Sequence, residues 1–275
     1  MSSMTGGEIA AVGKVGQAVS KKLLAEDEQT RDVLLRLAEG TPEMAAAARS
    51  MAARAAVKER VKLKLYEPFA RMIGVSKAYF EDTFPLEMAT KVANIPEENL
   101  ETPAASVAVP ALQGLSYTFG ETSLKEMYLN LLATASDSRR AKQAHPAFAE
   151  VIKQLAPDEA ELLKDVLAMR NIESARLTSK DESVTWIWLS HLLKLENKDG
   201  SPRVEPQIPI WVENWSRLGL FAVNYLLISS SEGDGWVAQR PEFLEVSGEV
   251  DGEISFTTGI VRITDFGEQF FMAIS

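Results

Sequence analysis

The stretch SLKEMYLNLLATA, residues 123–135, decides how the chain is read. Leu124, Met127, Tyr128, Leu131, Leu132 and Ala135 recur at i, i+3, i+4, i+7, i+8 and i+11, the spacing that lines one face of an α-helix with apolar side chains. Ser123 and Glu126 read as a capping box, in which each side chain serves the other residue's free backbone donor. Working outward, His145-Pro146 opens a second helix with Phe148, Val151, Ile152 and Leu155 on one side. Pro157-Asp158-Glu159 opens a third, with acids in the first turn where the helix dipole favours them. Leu163, Val166 and Leu167 continue that face.

Before this block lies a turn-rich linker, residues 95–110, with prolines at 96, 103 and 110. Thr83 and Pro85 mark a helix start, with Leu86, Ala89, Val92 and Ala93 on one face. Further back, Thr41-Pro42 opens the alanine-rich helical run 44–57, and Pro68 interrupts the helix of residues 58–73. Beyond Asn171 the character changes, and all five tryptophans (186, 188, 211, 215 and 236) follow it. Residues 184–195 read as a helix with Ile187, Trp188, His191, Leu192 and Leu195 on one face. Residues 210–218 read as a short helix stopped by Gly219, and 220–228, 235–246 and 253–263 as strands separated by glycine-containing turns. Thr264 caps a final helix carrying Phe266, Phe270, Phe271 and Ile274.

Composition narrows the chemistry. With no cysteine in 275 residues, disulfides, thiolate metal sites and cysteine nucleophiles are excluded. No stretch reaches the roughly 18–20 apolar residues of a membrane span, and the start lacks the pattern of a secretory leader, so a cytoplasmic home is expected. The net charge of −10 falls almost wholly on residues 157–275, which carry 10 basic and 20 acidic side chains. That region repels phosphate backbones at long range, and nucleic acid is not the expected partner.

Few residues invite a catalytic reading. His145 precedes a proline at a helix start and reads as a cap; His191 lies between Trp188 and Leu192 and reads as a core residue. The two histidines are 46 positions apart with no carboxylate paired to them, so no metal site and no cofactor is expected. Glu97, Glu98 and Glu101 read as solvated charge at a helix start. Arg139, Arg140 and Lys142 form the one compact basic cluster of the central region, after a helix end; they complement a helix terminus, or hold phosphate or an acidic partner, and are the candidate partner-binding residues.

Two resemblances follow from motifs. Ile95-Pro-Glu-Glu-Asn-Leu100, Pro103, Pro110-Ala-Leu112, Leu124-Lys-Glu-Met127, Asn130-Leu-Leu-Ala133 and Asp137 together resemble the core of the Abi-alpha family. So do His145-Pro-Ala-Phe148, Ile152-Lys-Gln-Leu155 and Pro157-Asp-Glu-Ala160. The resemblance covers about 75 residues, 95–167, with a looser echo at Tyr66-Glu-Pro68 and Gly74. These are bacterial proteins associated with abortive infection, whose domain is of unknown function. Trp215-Ser-Arg-Leu-Gly-Leu220 with Val261-Arg-Ile-Thr-Asp-Phe-Gly267 and Phe270 resembles the end of a winged-helix domain.

The expected fold is therefore a mainly α N-terminal and central helical domain followed by a small α+β winged-helix-like domain, divided as 1–94, 95–172 and 173–275. The expected function is that of a non-catalytic sensor or adaptor in an abortive-infection-type response to phage, binding a phage component or host effector, with self-association open. A DNA-binding winged-helix regulator is the first alternative. The second is a membrane-associating effector using Ile9, Val12, Val15, Val19 and Leu23 with Lys14, Lys21 and Lys22 as an amphipathic helix.

Overall fold

The structure, a computed structural model, describes residues 79–275 apart from 119, 182–183, 227–233 and 251. The readings placed on Ile9 to Leu23, on 41–57, on Pro68 and on Gly74 lie outside the described residues. A π-turn, Tyr79–Thr83, leads into α1, Phe84–Lys91. Then come α2, Ala105–Leu115; α3, Thr122–Ala135; α4, Ala147–Lys153; and α5, Pro157–Met169. Strands β1, Asn171–Asp181, and β2, Val184–Leu193, form a long hairpin. Helix α6, Ile208–Arg217, strand β3, Phe221–Asn224, short helices α7, Gly235–Ala238, and α8, Pro241–Glu249, strand β4, Ile254–Ile263, and α9, Asp265–Ile274, complete the described chain.

Helix α3 is the axis of the helical layer, touching α1, α2, α4, α5 and α9. Its predicted stripe is buried: Met127, Tyr128, Leu131 and Leu132 are each at most 2% exposed. Burial of a side chain of that size contributes about 1.5–3 kcal/mol. Helix α2 approaches α3 closely because Gly114 has no side chain; a Cβ there would stand 2.2 Å from Tyr128 Cζ. Lys91 pairs with Glu126, and Lys125 with Glu87 at 2.8 Å, so two crossed ion pairs brace α1 against α3.

The sheet is antiparallel throughout, in the order β2-β1-β4-β3. One face, with Ile172, Val261, Ile263 and Phe221, joins the same apolar core as the helices. The opposite face, with Ala175, Leu177 and Leu192, is covered by Val237, Trp236, Phe243 and Val246 from α7 and α8. The helical body followed by a small antiparallel sheet agrees with the coarse expectation.

Several local expectations are corrected. Residues 184–193 are a strand: Val184, Thr185, Trp186, Ile187 and Trp188 are β-branched or aromatic, and such a run fits a pleated surface better than a helix. Residues 235–246 are helical, because Pro241 at the first position of α8 suits a helix start and cannot donate within a sheet. Pro110 sits inside α2, where Val107, Ala108, Ala111, Leu112 and Leu115 are buried around it. Helix α3 begins at Thr122 without a side-chain cap; Glu126 is drawn to Lys91 on α1 instead of back to its own backbone. The reciprocal carboxylate occurs on α5, where Glu159 accepts from the Ala156 amide at 3.0 Å. Gly219 ends α6 with φ of +76°, and Thr264 caps α9 by accepting from the Gly267 amide at 2.9 Å, both as expected.

Candidate functional site

The basic turn after α3 lies against the C-terminal end of α9. Arg139 grips Asp137, Nε to Oδ1 at 2.8 Å and NH2 to Oδ2 at 2.6 Å. The Asp137 side chain is buried, and Arg139 holds its carboxyl below the ordinary range. Arg140 donates to the Met272 carbonyl, and Gln269 reaches the Gln143 carbonyl at 3.2 Å. Among the described residues the Lys142 ammonium has no partner. Two of the three candidate side chains are thus engaged within the chain, Arg139 on Asp137 and Arg140 on the C-terminal end of α9.

His145 Nδ1 accepts from the Ala147 amide at 3.1 Å, and its ring packs beside Phe148 and Phe266. That arrangement uses the imidazole as a helix cap. Glu97, Glu98 and Glu101 are exposed around a 3₁₀ turn, Glu97–Asn99. Among the described residues no group of three His, Asp or Glu side chains is placed to hold a metal.

The base of the β1–β2 hairpin carries a polar cluster that sequence spacing does not announce. His191 Nδ1 lies 2.9 Å from the Tyr225 hydroxyl, which in turn donates to the Ser190 carbonyl. Arg176 stands 4.2 Å above the Tyr225 ring, a cation–π contact. The ring reaches that place over Gly259, where a Cβ would meet Tyr225 Cδ1 at 2.7 Å. Burial lowers the His191 pKa; the Glu213 carboxylate opposes that shift and the Arg176 charge adds to it. Burial likewise raises the Tyr225 pKa. Ser174 Oγ and Arg176 Nε are buried beside the cluster, with no hydrogen-bond partner among the described residues. The imidazole Nδ1 is committed to the Tyr225 hydroxyl, and the contacts of His191, Tyr225 and Arg176 join β1, β2 and the segment after β3 at the hairpin base.

The outer half of the same hairpin carries a run of exposed apolar side chains. Trp186 is 57% exposed, Ile187 53%, Trp188 49% and Val184 47%. Trp186 lies opposite Ser179, and Trp188 Nε1 donates to Ser179 Oγ at 2.8 Å, so both indoles occupy one face. Strand β2 pairs only with β1 among the described residues, which leaves its outer edge open. The five-residue β-branched and aromatic run is the signal in sequence that points to this strand; helical spacing instead sets Trp188 on one face with His191 and Leu192.

A protein-family model described as abortive infection alpha matches residues 76–274. The chain belongs to the abortive infection alpha family. The match extends through the sheet and α9, well past the 95–167 segment whose motifs carry the resemblance in sequence. No curated protein matches. A solved structure of an uncharacterized protein from the hydrocarbon-degrading marine bacterium Alcanivorax borkumensis SK2 is similar at 14% identity and a TM-score of 0.32, over 50% of this chain and 95% of its own. Within this abortive infection alpha protein the tryptophan-bearing strand therefore belongs to the matched region, and among the described residues no helix is long and apolar enough to cross a membrane.

Proposed function

We propose that this protein is a non-catalytic sensor or adaptor in a cytoplasmic abortive-infection response to phage, acting by protein–protein contact. The family supports the abortive-infection setting. The observation that carries the adaptor reading is the exposed face of β2, where Val184, Trp186 and Trp188 stand on a hairpin whose base is fixed by His191, Tyr225 and Arg176. Tryptophan is enriched at the centres of protein interfaces, and a rigid strand loses little entropy on docking. The pairing of β3 with β4 between α6 and α9 supports describing the C-terminal part as winged-helix-like, with α7 and α8 inserted between the two strands.

The test compares Trp186→Ser/Trp188→Ser with wild type in cells challenged by phage. The variant should fold with an unchanged melt and lose protection, read as a rise in plating efficiency. Full protection at wild-type protein levels would remove this strand from the mechanism.

A further inference from the structure

We infer that Arg176 is the centre of a phosphate-binding site on the sheet, with the Thr257 hydroxyl as second donor and Lys180 as flanking cation. The site goes beyond the adaptor reading and involves neither Trp186 nor Trp188. Strands β1 and β4 pair in unbroken register from Asn171 to Ser179. Ser174, Arg176, Thr178 and Lys180 therefore alternate onto one face, joined by Gly259, Thr257 and Ser255 of β4. Nearer the helices, the same face buries Ile172 and Val261.

The guanidinium is the decisive group. Among the described arginines that are not exposed, Arg140 donates to the Met272 carbonyl, Arg203 meets Asp165 at 3.6 Å and Arg240 holds Glu242 at 2.6 Å. Arg176 alone among them has neither a carboxylate nor a carbonyl acceptor. Its Nε is buried without a partner, as is Ser174 Oγ two residues along the same face, whereas its terminal nitrogens are not buried. The Tyr225 ring, 4.2 Å from Cζ, anchors the guanidinium and neutralises none of its charge. An anchored fork with free terminal donors matches two oxygens of one oxyanion.

The neighbours select phosphate over carboxylate. Thr257 is the register partner of Arg176, and its hydroxyl has no partner among the described residues. Opposed Cα atoms of such a pair lie about 4.5–5.5 Å apart, so that hydroxyl can meet a third oxygen, which a carboxylate lacks. Lys180, exposed and unpaired, adds a second positive charge suited to a dianion. No Asp or Glu alternates onto this face between 174 and 180 or between 255 and 259; Glu213 of α6, which acts on His191, is exposed. The net charge of −10 disfavours anions at long range, but a screening length of about 8 Å at physiological salt leaves short contacts in control.

The test follows the melting temperature of the full chain against inorganic phosphate, glycerol 3-phosphate and acetate at fixed ionic strength. Wild type should be stabilised saturably by both phosphates and not by acetate. Tighter action of glycerol 3-phosphate identifies a phosphate ester as the ligand; equal action identifies the phosphate group alone. Arg176→Gln should abolish the gain, Arg176→Lys should weaken binding about tenfold by losing the fork, and Thr257→Val should weaken it less. Lys142→Gln, at an unpaired cation elsewhere, should keep the full response. If Arg176→Gln fails to fold, Thr257→Val decides, together with the Arg176 Nε–H resonance in a ¹⁵N spectrum, which should move as phosphate is added. No saturable response to phosphate, an equal response to acetate, or a response retained in folded Arg176→Gln overturns the site. Phage protection by the double tryptophan variant is read separately and bears only on the adaptor surface.

Discussion

Arg140 donates to the backbone carbonyl of Met272, joining the turn after α3 to the last turn of α9. Thr134 Oγ1 donates to the Ala273 carbonyl at 3.0 Å, and Asn130 Nδ2 to the Ile274 carbonyl at 2.6 Å. Three successive carbonyls at a helix end, which lack intrahelical donors, are thus met by three side chains from one neighbouring segment. The basic turn is built into the fold, which changes what a charge reversal there does.

Arg139→Glu/Arg140→Glu should lower the melting temperature by several degrees. The first change sets a carboxylate against buried Asp137; the second removes a donor from the negative end of α9. Arg140→Ala alone should cost about 1–2 kcal/mol, a charged hydrogen bond at a partly exposed site. Lys142→Glu should leave the melt unchanged. Circular-dichroism melts of the three variants check this, and an unchanged melt for the double reversal would refute it.

Gly114→Ala should destabilise in spite of alanine's better helix propensity. The new methyl would overlap the Tyr128 ring, whose hydroxyl is bonded to the Ala149 carbonyl at 3.3 Å and which is 1% exposed. Overpacking of this kind costs about 1–3 kcal/mol. Combining it with Tyr128→Leu should cost less than the two changes summed, as residues in contact are not additive. Urea denaturation of the single and double variants measures the difference.

His191 should make stability fall on the acid side of neutrality. Its folded pKa is depressed by burial, so the folded chain takes up a proton less readily than the unfolded one. The contribution is intact above the ordinary imidazole value of about 6.5 and is lost as the pH drops through the lower folded value. Wild type should therefore melt lower at pH 5 than at pH 7.5, and His191→Gln should shrink that difference. Asp137, held below the ordinary carboxylate range, loses its contribution only at still lower pH. Identical pH profiles for wild type and His191→Gln would contradict the assignment.

His145→Asn should preserve both the melt and phage protection, because asparagine can accept the Ala147 amide in place of the imidazole. Protection lost with an unchanged melt would indicate chemistry at the ring.

The helical layer was readable from residues 123–167 because each helix buries a single stripe, and a stripe is a local pattern. The hairpin was not. Strand β1 reads NIESARLTSKD, with few strand formers, and is central only because β2 and β4 flank it. In β2 the leucines and histidine at 191–193 extend the apolar run past the bulge near Leu177, which mimics helical spacing. Glu126 belonged by motif to its own helix start and was claimed by Lys91, 35 residues away. The His191–Tyr225–Arg176 cluster draws on three segments brought together only by the sheet. Nothing in the spacing of those residues along the chain reveals it.

The chain meets the end of α4 and the start of α5 again through α6 and completes the helical layer only at Asp265, where α9 docks on α3 through residues up to 144 positions earlier. Closing that layer must wait until the intervening strands and helices have found one another, so the slow step of refolding is the search for a distant contact rather than the formation of any helix. Helical signal should return early after dilution from denaturant, while the environment of Phe270, buried beside Phe148, becomes native only later. In that interval α3 lacks one of its neighbours, and a chain caught there is open to aggregation through the very stripe that organises its fold.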